Sequence, residues 1–163
     1  RSEGLVEAAP NLGARVAALT TDDVLALYLV REVLDGLAAR LATTRMSPAQ
    51  WERIDVILDE MQAAAVVEDT ERLAELNLQF HRLIRQAANN TYLNRFMEQV
   101  EHGVQRFSDT IFAYPGRGLD AVREHHEICD AMRAGDSARA ERLAIEHAQR
   151  ARQLKLKMLI EGY

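Results

Sequence analysis

Polar side chains of a helical chain usually face water, so polar residues that fall on an apolar stripe are the ones whose chemistry needs a reason. Asn77 follows Leu73 by four and precedes Phe80 by three, and His81 follows Asn77 by four, so both project from one inward helix face. Two side chains at that spacing can share one metal ion. His125 comes three after Val122, four before Cys129 and seven before Met132, while His147 lies four after Leu143 and four before Ala151. Three imidazoles and one amide oxygen, drawn from three facing helices, make a ligand set for a borderline divalent cation. Zinc or nickel suits it first, and manganese after them. The competing reading is of hydrogen-bonded core histidines with no metal. About two-fifths of helix positions face inward, so about two of the five histidines fall on stripes by chance. His126 adjoins His125 and competes with it for the inward position, and His102 lies beside the stripe of its helix. Cys129, one turn after His125, is either a thiolate ligand or a small buried hydrophobe.

Arg31 is the fifth exception, four after Leu27 and three before Leu34 on an apolar face. A guanidinium cannot shed its charge to suit an apolar site, so it needs an anion. Asp35, one turn on, is the ordinary i,i+4 partner. The carboxylate of a ligand, held in bidentate fashion beside the metal, is the alternative.

These residues need helices to hold them. Three prolines and eight glycines leave few breaks, and the apolar residues recur at three and four, so the chain reads as all-α. A first helix starts at Thr20 or Thr21 with Asp22 and Asp23 in its first turn and a stripe of Val24, Leu27, Leu34, Ala38 and Leu41. A second has Ser47 as N-cap, Pro48 at the first helical position and Gln50 completing a capping box, then Trp51, Ile54, Leu58 and Met61. A third runs from about Thr70 to Ala88, and Asn89 and Asn90 suit a left-handed cap and the next N-cap. The fourth turns Leu93, Phe96, Met97, Val100, Val104, Phe107 and Ile111 inward, ending before the loop signal Tyr114-Pro115-Gly116-Arg117-Gly118. The fifth covers about Leu119 to Ala134, and Asp136 caps a sixth that reaches about Ile160. The expected fold is an antiparallel bundle of six to seven helices over residues 19–163. Residues 1–18 differ: Leu5-Val6-Glu7 and Ala14-Arg15-Val16-Ala17 flank the turn signal Pro10-Asn11-Leu12-Gly13, a short β-hairpin that looks like the fringe of a neighbouring domain.

Composition limits the functional classes. A chain of 163 residues buries enough surface to form a core without disulfides, and its single cysteine excludes a disulfide framework. The longest apolar run, Val24 to Val30, is too short to span a bilayer, and no secretory pattern opens the chain, so the cytoplasm is expected. A net charge of −5 argues against wrapping nucleic acid unaided. The segment from Arg139 to Lys157 holds six basic and two acidic residues, which reads as a solvated helix end.

Several stretches together resemble one family, the effector-binding FCD domain of FadR-type regulators in the GntR superfamily of bacterial transcription factors. Glu3-Gly4-Leu5-Val6 with Pro10, Gly13 and Val16 is similar to the end of that family's winged helix-turn-helix. Leu27 to Asp35 resembles its first effector-domain helix. Leu76-Asn77-Leu78-Gln79-Phe80-His81, running into Ala87 to Leu93, matches its most recognisable stretch, and Glu124-His125-His126-Glu127-Ile128 with Ala131-Met132, Gly135-Asp136 and His147 matches its C-terminal signature. The resemblance implies that Asn77, His81, His125 and His147 bind a divalent metal, selecting His125 over His126. It also implies that a small organic acid reaches Arg31, and that its binding shifts paired DNA-binding domains in a homodimer. Asn77 stands where the family often has aspartate, which implies a weaker metal bond. Asn89 stands where it often has glycine. The recognition helix would precede Arg1, so the chain alone is expected to bind effector but not operator.

The expected function is therefore effector sensing without catalysis. Two other readings are a metal-free helical ligand or interaction module, and a small metal-dependent hydrolase with Glu124 or Glu127 as general base. Both glutamates flank His125 and are expected at most to graze a pocket.

Overall fold

The structure, a computed structural model, describes residues 6–9, 13–16, 20–105 and 110–162. Two strands, β1 (Val6–Ala9) and β2 (Gly13–Val16), pair antiparallel with Val6 opposite Val16 and Ala9 opposite Gly13. The turn signal between them, at Pro10, Asn11 and Leu12, lies outside the described residues. Among the described residues six α-helices follow: α1 (Thr21–Ala42), α2 (Pro48–Val66), α3 (Thr70–Ala87), α4 (Thr91–Gln105), α5 (Arg117–Arg133) and α6 (Ser137–Glu161). Among the described residues, a 3-10 turn, Ile111–Ala113, comes between α4 and α5.

The helix starts follow from local chemistry. Thr20 accepts from the Asp23 amide and Asp23 returns the bond, a capping box that opens α1. Ser47 and Gln50 form the same reciprocal pair at α2, with Pro48 at the first position. Asp69 and Asp136 cap α3 and α6. Asn89 takes a left-handed φ of 47°, and the Asn90 side chain accepts from the Leu93 amide at 3.1 Å, so the asparagine pair ends α3 and starts α4 as expected.

The core joins α2, α3 and α5 around Ile54, Leu58, Met61, Leu73, Leu76, Phe80, Ile128 and Met132, all fully buried. α1 lies antiparallel against α6: Arg40 meets Glu141, Gly36 meets Ile145 and Glu32 meets Arg152. Gly36 permits this approach, because a Cβ there would stand 2.6 Å from Ile145 Cγ1.

Four expectations change. The buried residues of α1 are Val24, Tyr28, Glu32, Asp35, Gly36, Ala38, Ala39 and Ala42, so Val24 and Ala38 of the expected stripe are inside while Leu27, Leu34 and Leu41 are only half-buried. The reason is that α1 packs on α6 as well as on α3 and α4, so a line of small and polar residues faces α6. Phe96 of α4 is 54% exposed rather than inward. α4 ends at Gln105, Ile111 belongs to the 3-10 turn, and Phe107 lies outside the described residues. α5 starts two residues before the expected Leu119, on Gly116 in the left-handed region at φ 78°, which brings Arg117 inside the helix.

Candidate metal and ligand site

His81 on α3, His125 on α5 and His147 on α6 converge, each offering one ring nitrogen within 4.8 Å of the others. His125 Nε2 and His147 Nε2 are 3.3 Å apart. Two nitrogens each about 2.1 Å from one tetrahedral zinc stand about 3.4 Å from each other, so this pair has the separation of metal ligands. His81 Nε2 and His125 Nδ1 are buried with no hydrogen-bond partner. A ring nitrogen without a partner is costly in a core: His81 Nε2 could give its lone pair to a cation, whereas His125, if it turned Nε2 to the same cation, would carry its proton on Nδ1. The Phe80 ring stacks on His125 with centroids 4.0 Å apart and limits its rotation.

A buried carboxylate fixes the third imidazole. His147 Nδ1 stands 2.6 Å from Glu124 Oε2, and a carboxylate only accepts, so Nδ1 donates and Nε2 keeps its lone pair. Arg117 grips both Glu124 oxygens at 3.0 Å, and all three side chains are buried. Burial pushes the Glu124 carboxyl up, but the bonds from His147 and Arg117 outweigh it and bring its pKa down to about 2. Burial, then the Arg31 charge, holds His81 well below the usual imidazole range, and burial with the nearby His147 does the same to His125. Burial lowers His147 too, partly offset by its bond to Glu124. The three imidazoles are therefore neutral at pH 7, the form that ligates metals.

A cavity of about 360 Å³ opens beside them. Asn77, His81, His147 and Arg31 all line it, whereas His125, at 0% exposure, lies behind its wall. Arg31 Nε donates to Asp35 Oδ2 at 3.0 Å, the ordinary i,i+4 pair. That pair uses Nε, and the Tyr28 side chain makes a further hydrogen bond with the guanidinium, which lines the cavity. Asp35 also reaches towards the cluster, its Oδ1 lying 3.9 Å from His81 Nδ1.

Comparison with known proteins shows the family of the chain. Residues 26–150 match the FCD domain family. The chain belongs to that family. The FCD domain described here is 30% identical over 147 residues to a probable D-xylose utilization operon transcriptional repressor of Paenarthrobacter nicotinovorans, covering 88% of this chain and 63% of that protein. It is 25% identical over 147 residues to the uncharacterized HTH-type transcriptional regulator YdhC of Bacillus subtilis, covering 89% of this chain and 65% of the relative. The chain thus spans less than two-thirds of the length of these relatives. Its fold is shared with E. coli McbR/YncC, with a TM-score of 0.76 at 19% identity over 98% of this chain and 78% of the other.

Within this FCD domain, His126 and His102 are exposed and apart from the cluster, so the inward position falls to His125. Cys129 is buried outside the group of converging ligand atoms, and burial raises its thiol to about 12, which suits a small hydrophobe. Glu124 does not line the cavity, as expected of a residue that at most grazes it. It is buried and bonded to a site histidine. Arg117 and Glu124 are seven apart on one helix face, a signal hidden by reading Arg117 as loop.

Proposed function

We propose that this FCD domain is the effector sensor of a cytoplasmic DNA-binding transcriptional regulator, in which Asn77, His81, His125 and His147 hold one divalent metal ion. The observation that carries the reading is the convergence of three neutral imidazoles beside a cavity whose wall carries Asn77, His81, His147 and Arg31, with His125 packed behind that wall. Zinc or nickel suits three imidazoles and a weak amide oxygen best, with manganese next. The metal supplies positive charge at the cavity wall. Glu124 keeps His147 in the ligating tautomer, and Arg31 meets a small organic acid by its carboxylate. Residues 1–18 are read as the end of the winged DNA-binding domain and its linker, and residues 19–163 as the sensor.

The effector acts by binding one arrangement of a homodimer better than another, shifting how paired DNA-binding domains meet the operator. Exposed Leu29, Val30 and Val33 on α1 support an association surface. Repression is the sense of regulation favoured by the name of the Paenarthrobacter relative.

A carboxylic acid effector raises the thermal midpoint of the wild-type chain by mass action, and Arg31→Ala abolishes the rise. Differential scanning fluorimetry over a panel of acids reads this directly. Equal stabilisation of wild type and variant by every acid would contradict it.

A further inference from the structure

Two of the three site histidines stand beside a buried carboxylate that an arginine holds. In the first series Arg117 grips Glu124 with two bonds of 3.0 Å, and Glu124 Oε2 meets His147 Nδ1 at 2.6 Å. The second series repeats that order on other helices. Arg31 Nε donates to Asp35 Oδ2 at 3.0 Å, and Asp35 Oδ1 lies 3.9 Å from His81 Nδ1. Asp35 is 6% exposed and belongs to α1, whereas His81 belongs to α3. Each series therefore joins two helices, α5 to α6 and α1 to α3, and each ends on the Nδ1 of a site histidine.

The second series is the longer at its last step. A separation of 3.9 Å is within ion-pair reach but beyond a hydrogen bond, so closing it takes a shift of about 1 Å or one bridging water. Both residues line the cavity, which gives room for either.

The place of the His81 proton decides what this proximity does. A neutral imidazole carries a proton on one nitrogen and a lone pair on the other, and a carboxylate only accepts. With the proton on Nδ1, the ring offers an N–H to Asp35 and keeps its lone pair on Nε2, which is buried without a hydrogen-bond partner. With the proton on Nε2, a lone pair faces the Asp35 carboxylate and a buried N–H goes without an acceptor, so that form is penalised at both nitrogens. The group of ligand atoms within 4.8 Å of one another contains the three histidines and not Asp35, so its carboxylate acts through the ring rather than on an ion.

We propose that Asp35 is a positioning residue of the metal site: held by Arg31, it keeps the His81 proton on Nδ1 and so presents Nε2 to the ion. The inference rests on the metal reading above and adds a residue to it. It also ties Arg31, read as the group that meets an acid, to a metal ligand through one carboxylate.

Nitrogen-15 NMR of the histidine rings in the metal-stripped full chain reads the tautomer, with the His81 signals assigned by their loss in His81→Ala. The expected result is a proton on Nδ1 of His81 in the wild type and a shift towards the Nε2–H form in Asp35→Asn, whose amide can also turn a donor to the ring. Cobalt(II) titration then separates positioning from ligation. Asp35→Asn is expected to bind cobalt about 10- to 100-fold more weakly with the visible absorption bands of the wild type, because the ligand set is the same. A His81 proton on Nε2 in the stripped wild type overturns the inference whether or not the variant folds, and so does equal cobalt affinity in a folded Asp35→Asn. Altered bands in the variant make Asp35 a ligand and overturn the positioning role. A wild type that takes up no cobalt overturns the metal reading and this inference with it.

Discussion

A carboxylate that accepts from His147 Nδ1 at 2.6 Å decides which nitrogen of that ring is left for a cation, and Arg117 in turn decides where the carboxylate stands. Replacing Glu124 by Gln keeps the volume but removes the charge and the firm tautomer choice. Glu124→Gln is expected to weaken metal binding about 10- to 100-fold, measured by competition with a chromophoric chelator. Unchanged affinity would deny Glu124 its positioning role. The same residues set a pH dependence for the metal-stripped chain. His81 and His125 titrate well below the usual range when folded and near 6.5 when unfolded, so below that value the unfolded chain binds more protons. Glu124, at about 2 folded against 4.5 unfolded, has the same sign further down. Stability is therefore complete above about pH 6.5 and falls steadily as the buffer is acidified towards pH 4. Thermal midpoints of chelator-treated protein across that range check it, and a flat profile would contradict it. Asn77, His81, His125, His147 and Arg31 were all legible as polar interruptions of apolar stripes. Glu124 was not, because its neighbour on the helix face, seven residues back, lay in a stretch that glycine and proline made look like loop.

At the level of elements, helix starts were legible and helix faces less so. A capping box is a local bargain among four residues, so Ser47, Pro48 and Gln50 announce α2 whatever the rest of the chain does. Ser47→Ala is expected to destabilise the fold by about 1 kcal/mol in urea unfolding with no change in metal content. An effect below about 0.3 kcal/mol would mean that packing alone holds α2 in place. Faces depend on neighbours that no local pattern names. The leucines of α1 suggested one stripe, but α1 touches α6, α3 and α4, with Gly36 against Ile145 of α6 and Leu27 against Gly103 of α4. Phe96 misled in the same way: its spacing fits the stripe of α4, yet the described core does not extend over it. The reach of α4 was overstated because apolar spacing continues to Ile111, although Ile111 packs against the core from a 3-10 turn.

For the whole molecule, composition and periodicity led to an all-α domain, and order along the chain led to the FCD family that residues 26–150 match. Among the described residues no helix is long and apolar enough to cross a membrane. What brings the site together is the bundle itself: residues 44 and 22 apart in sequence, His81 to His125 and His125 to His147, become neighbours because α3, α5 and α6 face one interior. The central claim is that this interior holds a metal, and elemental analysis of untagged protein, before and after chelator and beside His81→Ala, tests it most directly. The account predicts about one zinc, nickel or manganese ion per wild-type chain, removable by chelator and absent from a folded His81→Ala variant. No bound metal in the wild type, or equal metal in the variant, would contradict it.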